Sequence, residues 1–588
     1  MKRHDLIIRG GTIVDGSGEP SFVGDIAVDN GWIVAVGEVE GDAAEEIVAS
    51  GLMVTPGFVD IHTHYDGQLI WSDRLAPSSD HGVTTVMTGN CGIGFAPCRP
   101  GDRQALIELM EGVEDIPEAV TGVGLTWDWE SFPEFLDAID RRDHDIDVFA
   151  MVPHSPMRVY AMGERGIQRE AATEADLQRM KELTREALDA GAAGVGTSRL
   201  HVHRTSKGEL IPSFDAAETE LHAIGDAMRE SGKGVFQMVS SMAADALDHE
   251  MGLMRRLAEK SGRTVTYTQA QTARAPEQWR DVLTHLKQAN DDGAVVKAQL
   301  LPRPVGMIIG LTASVHPFCM APSWQRLADL PLEQKLAEMR KPEVRRALID
   351  EQPDTPTIPI IGYSRNFSAI FELGSDIPNY EPDVEQNIVA RAEAAGTSPD
   401  ELVYDLLLKD EGRALLLVAL GNYAQYNLDF AHTMLQDPNV VVGLGDGGAH
   451  YGMICDASYP TFMLTHWVKD RDGSRFSIEQ AVHYISRKPA QVVGLDDRGL
   501  IAPGYRAHFN IIDRDRLKLL PPEIVHDLPG GGKRLHQRAQ GFVATIVNGQ
   551  VIARNGEPTR VHAGRLLRGA QHPIPVNDLV DGIAVAAE

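Results

Sequence analysis

Two histidines separated by one residue, at the end of an apolar run, constrain this chain more than any other feature. The run Val59-Asp60-Ile61-His62-Thr63-His64 follows the turn Thr55-Pro56-Gly57. Residues two apart in an extended strand point to the same face. His62 and His64 can therefore reach one ion from the end of such a strand, and imidazole is the commonest protein ligand for metals. The pattern predicts a buried strand that delivers two metal ligands at its C-terminal end.

A chain of 588 residues is long for one domain, yet α/β barrels with insertions reach this size around a single core. With 43% hydrophobic and 24% charged residues, it has enough apolar material for a large interior and is not a disordered chain. Its formal charge of −29 repels nucleic acid and anionic membranes. Cys91, Cys98, Cys319 and Cys455 form no close-set pair, which fits a reducing compartment and argues against a disulfide framework. The opening Met1-Lys2-Arg3-His4-Asp5 is followed only by Leu6-Ile7-Ile8 before Arg9, too short for the core of a signal peptide. There is also no apolar run of transmembrane length. The expectation is a cytoplasmic protein with a small-molecule substrate, no nucleic-acid partner and no membrane contact. A homo-oligomer is compatible with the acidic surface but not required by it.

Short strand-like runs rich in β-branched residues fill the first 55 or so positions and return at Ala507–Asp513 and Val543–Ile552. Between them, strand-like runs alternate with helical ones, as a parallel α/β barrel requires. Thr84–Thr88, Asp147–Val152, Gly194–Ser198, Gly234–Met238, Thr264–Thr268 and Val440–Asp446 are the candidate strands, and Thr173–Ala190 is amphipathic. The fold expected is α/β: a (β/α)8 TIM-like barrel over residues 57–498, with an insertion near 302–354. A small β-sandwich domain is expected from 1–56 together with 499–560, and 561–588 reads as a C-terminal tail.

The motifs resemble the amidohydrolase superfamily and, within it, the N-acyl-D-amino-acid deacylase (D-aminoacylase-like) group. The matching pieces are Gly10–Gly16, Pro56–His64, Gly89-Asn90-Cys91-Gly92 through Pro97, Gly445-Asp446-Gly447, and Lys488-Pro489-Ala490 through Gly504. They follow in the expected order over nearly the whole chain. The resemblance implies that His62 and His64 are first-strand metal ligands and that Cys91 is the thiolate ligand of the group. It also implies that Asp446 is the last-strand carboxylate that touches metal and takes a proton from attacking water. In one respect the chain departs from the pattern. The family supplies two further histidines from mid-barrel strands, and those positions fall near Val239 and Gln269; no His occurs from 223 to 248 or from 250 to 284. Gln and carbonyl oxygens replace imidazole poorly on zinc, so a single Zn2+ per chain is expected, held by His62, His64, Cys91 and Asp446. A hydrolase also needs an open coordination position.

Other polar residues sit where barrel chemistry is built, at strand ends and in the loops after them. His201, His203 and His450 are candidates for substrate contact, and His154 ends another candidate strand. Arg199 and Arg204 can each receive a carboxylate through paired hydrogen bonds or serve in an ordinary salt bridge. The activity expected is zinc-dependent hydrolysis of a C–N bond in an N-acylated amino acid or similar amide, with Asp446 as general base and then acid. The alternatives are hydrolysis of a cyclic amide, lactone or xenobiotic-like ester, and a non-catalytic binding barrel. Joint retention of His62, His64 and Asp446 disfavours the last.

Overall fold

The computed structural model describes residues 3–351 and 359–575. A nine-stranded sheet takes strands from both ends of the chain. Arg3–Ile13, Phe22–Asp29, Trp32–Gly37, Asp42–Val48 and Met53–Pro56 come from the first end. Phe509–Ile512, Phe542–Val547, Gln550–Arg554 and Glu557–Pro558 come from the other. The halves join where Phe509–Ile512 runs antiparallel to Met53–Pro56, with Asn510 opposite Thr55. Asn-Gly pairs make the tight turns: Asn30-Gly31, Asn548-Gly549 and Asn555-Gly556 all have positive φ at both residues. That is the backbone a two-residue hairpin of matching twist requires. Leu6, Ile8, Ile26, Val28, Val54, Phe509, Ile511 and Ile546 pack as one apolar cluster over the junction.

The middle of the chain alternates strand and helix as the pattern implies. A six-stranded sheet runs in the order Val440–Val442, Val296–Leu300, Val265–Gln269, Val235–Val239, Gly194–Ser198 and Val152–Pro153, and all its pairs are parallel. A second parallel sheet holds Phe58–Asp60, Val83–Thr88, Asp147–Ala150 and Leu566–Leu567. Backbone bonds link the two sheets at both sides, Ala193 N–H to the Ala150 carbonyl at 2.8 Å and Asp446 N–H to the His62 carbonyl at 3.0 Å. The amphipathic segment forms the helix Glu174–Asp189, started by a reciprocal cap between Thr173 and Asp176. It buries Met180, Leu183, Thr184 and Ala187 on one face, the spacing of a helix laid on a sheet.

The segment expected as an insertion contains the helices Leu332–Met339 and Pro342–Asp350 and also a strand, Val305–Ile309. That strand pairs antiparallel with Leu416–Gly421, which also pairs with Ile370–Glu372. Its sheet partners therefore lie beyond residue 354, and residues 352–354 fall outside the described residues. Of the expected tail, Leu566–Leu567 adds a strand beside Val148–Phe149, while 576–588 lie outside the described residues.

Asp147, at the start of its strand, is tied to the returning chain by a buried ionic network. Arg498, 1% exposed, bonds Asp147 Oδ2 at 2.7 Å, Thr85 Oγ1 at 3.0 Å and Asp497 Oδ1 at 2.8 Å. Asn548 Nδ2 and the Arg565 N–H complete Asp147 at Oδ1. Removing one partner strands the other charge in the interior, which typically costs about 3–5 kcal/mol. Arg498→Met is therefore expected to lower stability by about that amount, read as a fall in the denaturant midpoint.

Candidate metal centre

The strand Phe58–Asp60 ends two residues before His62, but the chain stays extended between its neighbours. Thr63 donates its N–H and its hydroxyl to the Met87 carbonyl at 3.0 and 2.9 Å. On the other side, Asp446 N–H reaches the His62 carbonyl at 3.0 Å, and His64 N–H reaches the Gly447 carbonyl at 2.8 Å. Alternation is thus kept, and both imidazoles project to the same point with ring centres 5.5 Å apart. The side chains of His62 and His64 are buried.

Cys91 meets them from the loop after Val83–Thr88. Asn90 Nδ2 donates to the carbonyls of Met87 and Thr63, at 2.9 and 3.3 Å, and Cys91 N–H donates to Gln237 Oε1 at 3.0 Å. The turn needs the glycine after Cys91: Gly92 has φ of +68°, and a Cβ there would sit 2.7 Å from the Thr197 Cα. Cys91 Sγ lies 3.4 Å from His62 Nε2 and 3.7 Å from His64 Nε2. Among the described residues, His62, His64 and Cys91 are a group whose donor atoms all lie within 4.8 Å of one another. Asp446 Oδ1 stands outside that group, yet it is 3.4 and 3.5 Å from the two Nε2 atoms and is buried without a hydrogen bond. In tetrahedral zinc sites, bond lengths of about 2.0–2.1 Å to N and 2.3 Å to S put neighbouring N and S donors roughly 3.6 Å apart. The observed spacings match that edge. Three convergent donors with a carboxylate oxygen 3.4 and 3.5 Å from two of them suit a metal ion with N, S and O donors.

The outer nitrogen of His62 is hydrogen-bonded, and that of His64 faces a carboxylate without a hydrogen bond. His62 Nδ1 lies 2.6 Å from Gln299 Oε1, whose amide nitrogen donates to Thr266 Oγ1 at 3.1 Å. Gln299 therefore presents oxygen to the ring, His62 carries its proton on Nδ1, and Nε2 is free for a metal. His64 Nδ1 faces Glu114 Oε1 at 3.4 Å. Burial pushes the His62 pKa down to about 4, against the pull of Asp446. Burial also opposes a charged His64, but Glu114, Cys91 and Asp446 outweigh it and raise that pKa. The Cys91 thiol is pushed up to about 12 by burial. For Asp446, burial is overcome by His64, His62 and His450, and the carboxyl is held down to about 2.

Glu114, Gln299 and Gln237 were not singled out by sequence reasoning. Glu114 closes the helix Arg103–Glu114 on its buried face with Met110 and Val113, where a carboxylate is out of place unless paired. Gln299 is a buried amide in the strand Val296–Leu300. Those are the signals available.

The remaining candidates separate into two groups. His203 bonds Ser198 Oγ through Nδ1 at 2.9 Å. His450, four residues past Asp446, has Nε2 3.4 Å from Glu114 Oε2. The exposed His201 makes no hydrogen bond or ion pair to the cluster among the described residues. Arg199 is engaged by buried Glu250 at 3.3 Å and by the Ala216 carbonyl at 3.2 Å, and Arg204 bonds the Gly208 carbonyl at 2.8 Å. His154 does not end a strand; it opens the helix His154–Met162 and is locked between Thr197 and Glu220 at 2.8 and 2.9 Å. Val239 and Gln269 are the last residues of their strands, and Gln269 Oε1 accepts from the Tyr267 hydroxyl at 3.2 Å.

Comparison with known proteins matches the amidohydrolase family over residues 45–553. N-acyl-D-aspartate deacylase of Alcaligenes xylosoxydans xylosoxydans is 27% identical over 551 residues, 93% of this chain and 92% of that protein. D-aminoacylase of the same organism is 36% identical over 234 residues, 39% of this chain and 46% of that protein. Among solved structures, N-acyl-D-glutamate deacylase from Bordetella bronchiseptica, complexed with zinc and a phosphonate inhibitor, aligns with a TM-score of 0.63 at 21% identity. That alignment covers 96% of this chain and 100% of the other, a likeness of fold.

Loss of an outer partner typically weakens metal binding 10–100-fold. Gln299→Leu, which removes the oxygen that holds His62 in its metal-ready form, is expected to reduce zinc affinity by about that factor, measured by competition with a chromophoric chelator.

Proposed function

The chain belongs to the amidohydrolase family and to its D-aminoacylase-like group, and on that premise we propose that it deacylates an N-acyl amino acid. It is a metal-dependent hydrolase of a non-peptide amide bond. N-acyl-D-aspartate is the first substrate to try, because the relative that spans 93% of the chain is a deacylase of that compound. The observation that carries the reading is the convergence of His62, His64 and Cys91 on one point with Asp446 beside it.

In this reading the three side chains hold one zinc ion. The positions that would add a second set of imidazoles are Val239 and Gln269, neither of them a good zinc ligand. When bound, zinc lowers the pKa of water and polarises a carbonyl. Asp446, kept ionised by the imidazoles around it, takes the proton of the attacking water and returns it to the nitrogen of the leaving amine. Gln299 holds the ring of His62 in register for that work, and the Glu114 carboxylate lies beside the ring of His64. His203 and His450 are the substrate-facing histidines, whereas the partners of Arg199 support a structural role for it. His201 is left as a contact at the rim.

We take the two parallel sheets as the wall of one (β/α)8 barrel over residues 57–498, with the small β-sandwich domain built from 1–56 and 499–560. Four free cysteines support a reducing compartment such as the cytoplasm. No helix among the described residues is long and apolar enough to cross a membrane.

Asp446→Asn tests the mechanism because it keeps the shape and removes the base. Turnover of N-acetyl-D-aspartate is expected to fall by about 100- to 10,000-fold, while elemental analysis still finds the parent zinc content and circular dichroism is unchanged.

A further inference from the structure

The Asp446 carboxylate has no hydrogen bond at Oδ1, which is buried without a partner. Its backbone is left-handed as well, with φ of +46°, and so is that of Leu444 at +66°. Residues other than glycine adopt that region at a cost and keep it only where their surroundings fix them. Upstream, the Asp446 N–H is tied to the His62 carbonyl at 3.0 Å, and the Gly447 carbonyl to the His64 N–H at 2.8 Å. Downstream, the chain is anchored again at Gly452, by a residue with no part in the chemistry above.

That residue is Asp115. It ends the helix Arg103–Glu114 in a left-handed conformation, with φ of +51°, a place that glycine or asparagine normally takes. An acidic side chain is also disfavoured at a helix C-terminus, the negative end of the dipole. Local preference therefore disfavours aspartate twice over. Its contacts lie elsewhere in the fold: Oδ2 accepts the Gly452 N–H at 3.0 Å and the Ser314 hydroxyl at 2.9 Å. The Gly452 carbonyl in turn receives the Ser314 N–H at 3.0 Å, and the Met453 carbonyl receives the Ile308 N–H at 2.6 Å. The His450 N–H bonds the Glu114 carbonyl beside them. The fit needs the glycine, since a Cβ on Gly452 would lie 1.8 Å from Ser314 Oγ. Two turns carry this anchoring back to Asp446: the Ala449 N–H bonds the Asp446 carbonyl at 3.1 Å, and the Met453 N–H bonds the His450 carbonyl at 2.8 Å.

We propose that Asp115 is a positioning residue for the general base: its carboxylate fixes the loop after Asp446 to the end of the helix and so keeps the Asp446 carboxylate beside His62 and His64. That role rests on the reading of Asp446 as the base. A displacement of about 1 Å in such a group can cost about 100-fold in rate.

Asp115→Gly separates placement from folding, because glycine suits the left-handed helix end and lacks only the anchor. The zinc-loaded full-length variant is expected to keep the parent zinc content, and its kcat on N-acetyl-D-aspartate to fall by about 100-fold with KM little changed. Asp115→Asn, which keeps an acceptor oxygen and tolerates the left-handed backbone, is expected to recover most of that loss. In the Asp446→Asn background, Asp115→Gly is expected to add little, because residues that act as a unit are not additive. Amide hydrogen exchange gives a readout independent of turnover: across residues 446–453 it is expected to quicken by about 10- to 100-fold in Asp115→Gly, while the strand Val83–Thr88 keeps the parent rate. Parent kcat, unchanged exchange or failure to fold in Asp115→Gly overturns the inference, as does an Asn variant as slow as the Gly one. A slow Asp446→Asn enzyme beside a fast Asp115→Gly enzyme overturns this inference alone, whereas an Asp446→Asn enzyme as fast as the parent overturns the base reading with it. A parent enzyme inactive on the substrate overturns the deacylase reading, and the exchange rates then decide the anchor.

Discussion

The site depends on three backbone hydrogen bonds that clamp the His62-Thr63-His64 segment between two neighbouring segments. On one side Thr63 bonds Met87; on the other, Asp446 bonds His62, and His64 bonds Gly447. Each such bond contributes only about 1 kcal/mol net. Their larger effect is geometric, since a one-residue slip of an extended segment turns every side chain to the other face. With the register held, Thr63 points away and both imidazoles point inward. The same bonds draw in the loops that carry Cys91 and Asp446. The approach is close enough that a Cβ on Gly445 would fall 1.9 Å from Asp60 Oδ2, so Asp446 reaches the histidines only because its predecessor has no side chain.

Electrostatics then decides what such a cluster is for. Two imidazoles, a thiol and a carboxylate are brought together in a largely buried position, and each is shifted by the others or by burial. A group of this kind is costly in a folded chain unless something compensates it. A cation does so directly: it favours the thiolate of Cys91 and the carboxylate of Asp446 at once. The outer partners make the arrangement specific. Gln299 presents an oxygen to the ring of His62, which leaves its Nε2 free, and Glu114 turns a carboxylate toward the ring of His64. Glu114 lies 3.4 Å from both His64 Nδ1 and His450 Nε2, so one buried carboxylate faces two rings.

The parts legible in the sequence were those with local signatures. His62 and His64 are two apart on an extended run and were singled out by that spacing, whereas Cys91 in its Gly-Asn-Cys-Gly loop and Asp446 after an apolar strand were singled out through the family resemblance. The α/β alternation was legible for the same reason, because periodicity is a short-range property. Glu114 and Gln299 were not, as their roles come from packing against residues 50 and 237 positions away. Each is a lone polar residue in an apolar element, and such residues also occur as satisfied core groups. His154 read as a strand end because Val148–Val152 is apolar throughout; in the structure it follows Pro153 as the first residue of a helix, with its ring bonded to Thr197 and Glu220. The strand Val305–Ile309 was hidden by the Pro-rich residues before it and by its partner, Leu416–Gly421, lying more than 100 positions downstream. His201 and His203 are alike in sequence, and the turn from Leu200 to His203 exposes the first and brings the second to Ser198.

The central claim is one zinc ion on two imidazoles and a thiolate. X-ray absorption at the zinc edge of the loaded enzyme measures that directly. The account predicts one sulfur at about 2.3 Å with two imidazole nitrogens at about 2.0–2.1 Å, and no metal–metal scattering. A shell of nitrogen and oxygen alone, or a second zinc at about 3.5–4 Å, would contradict it.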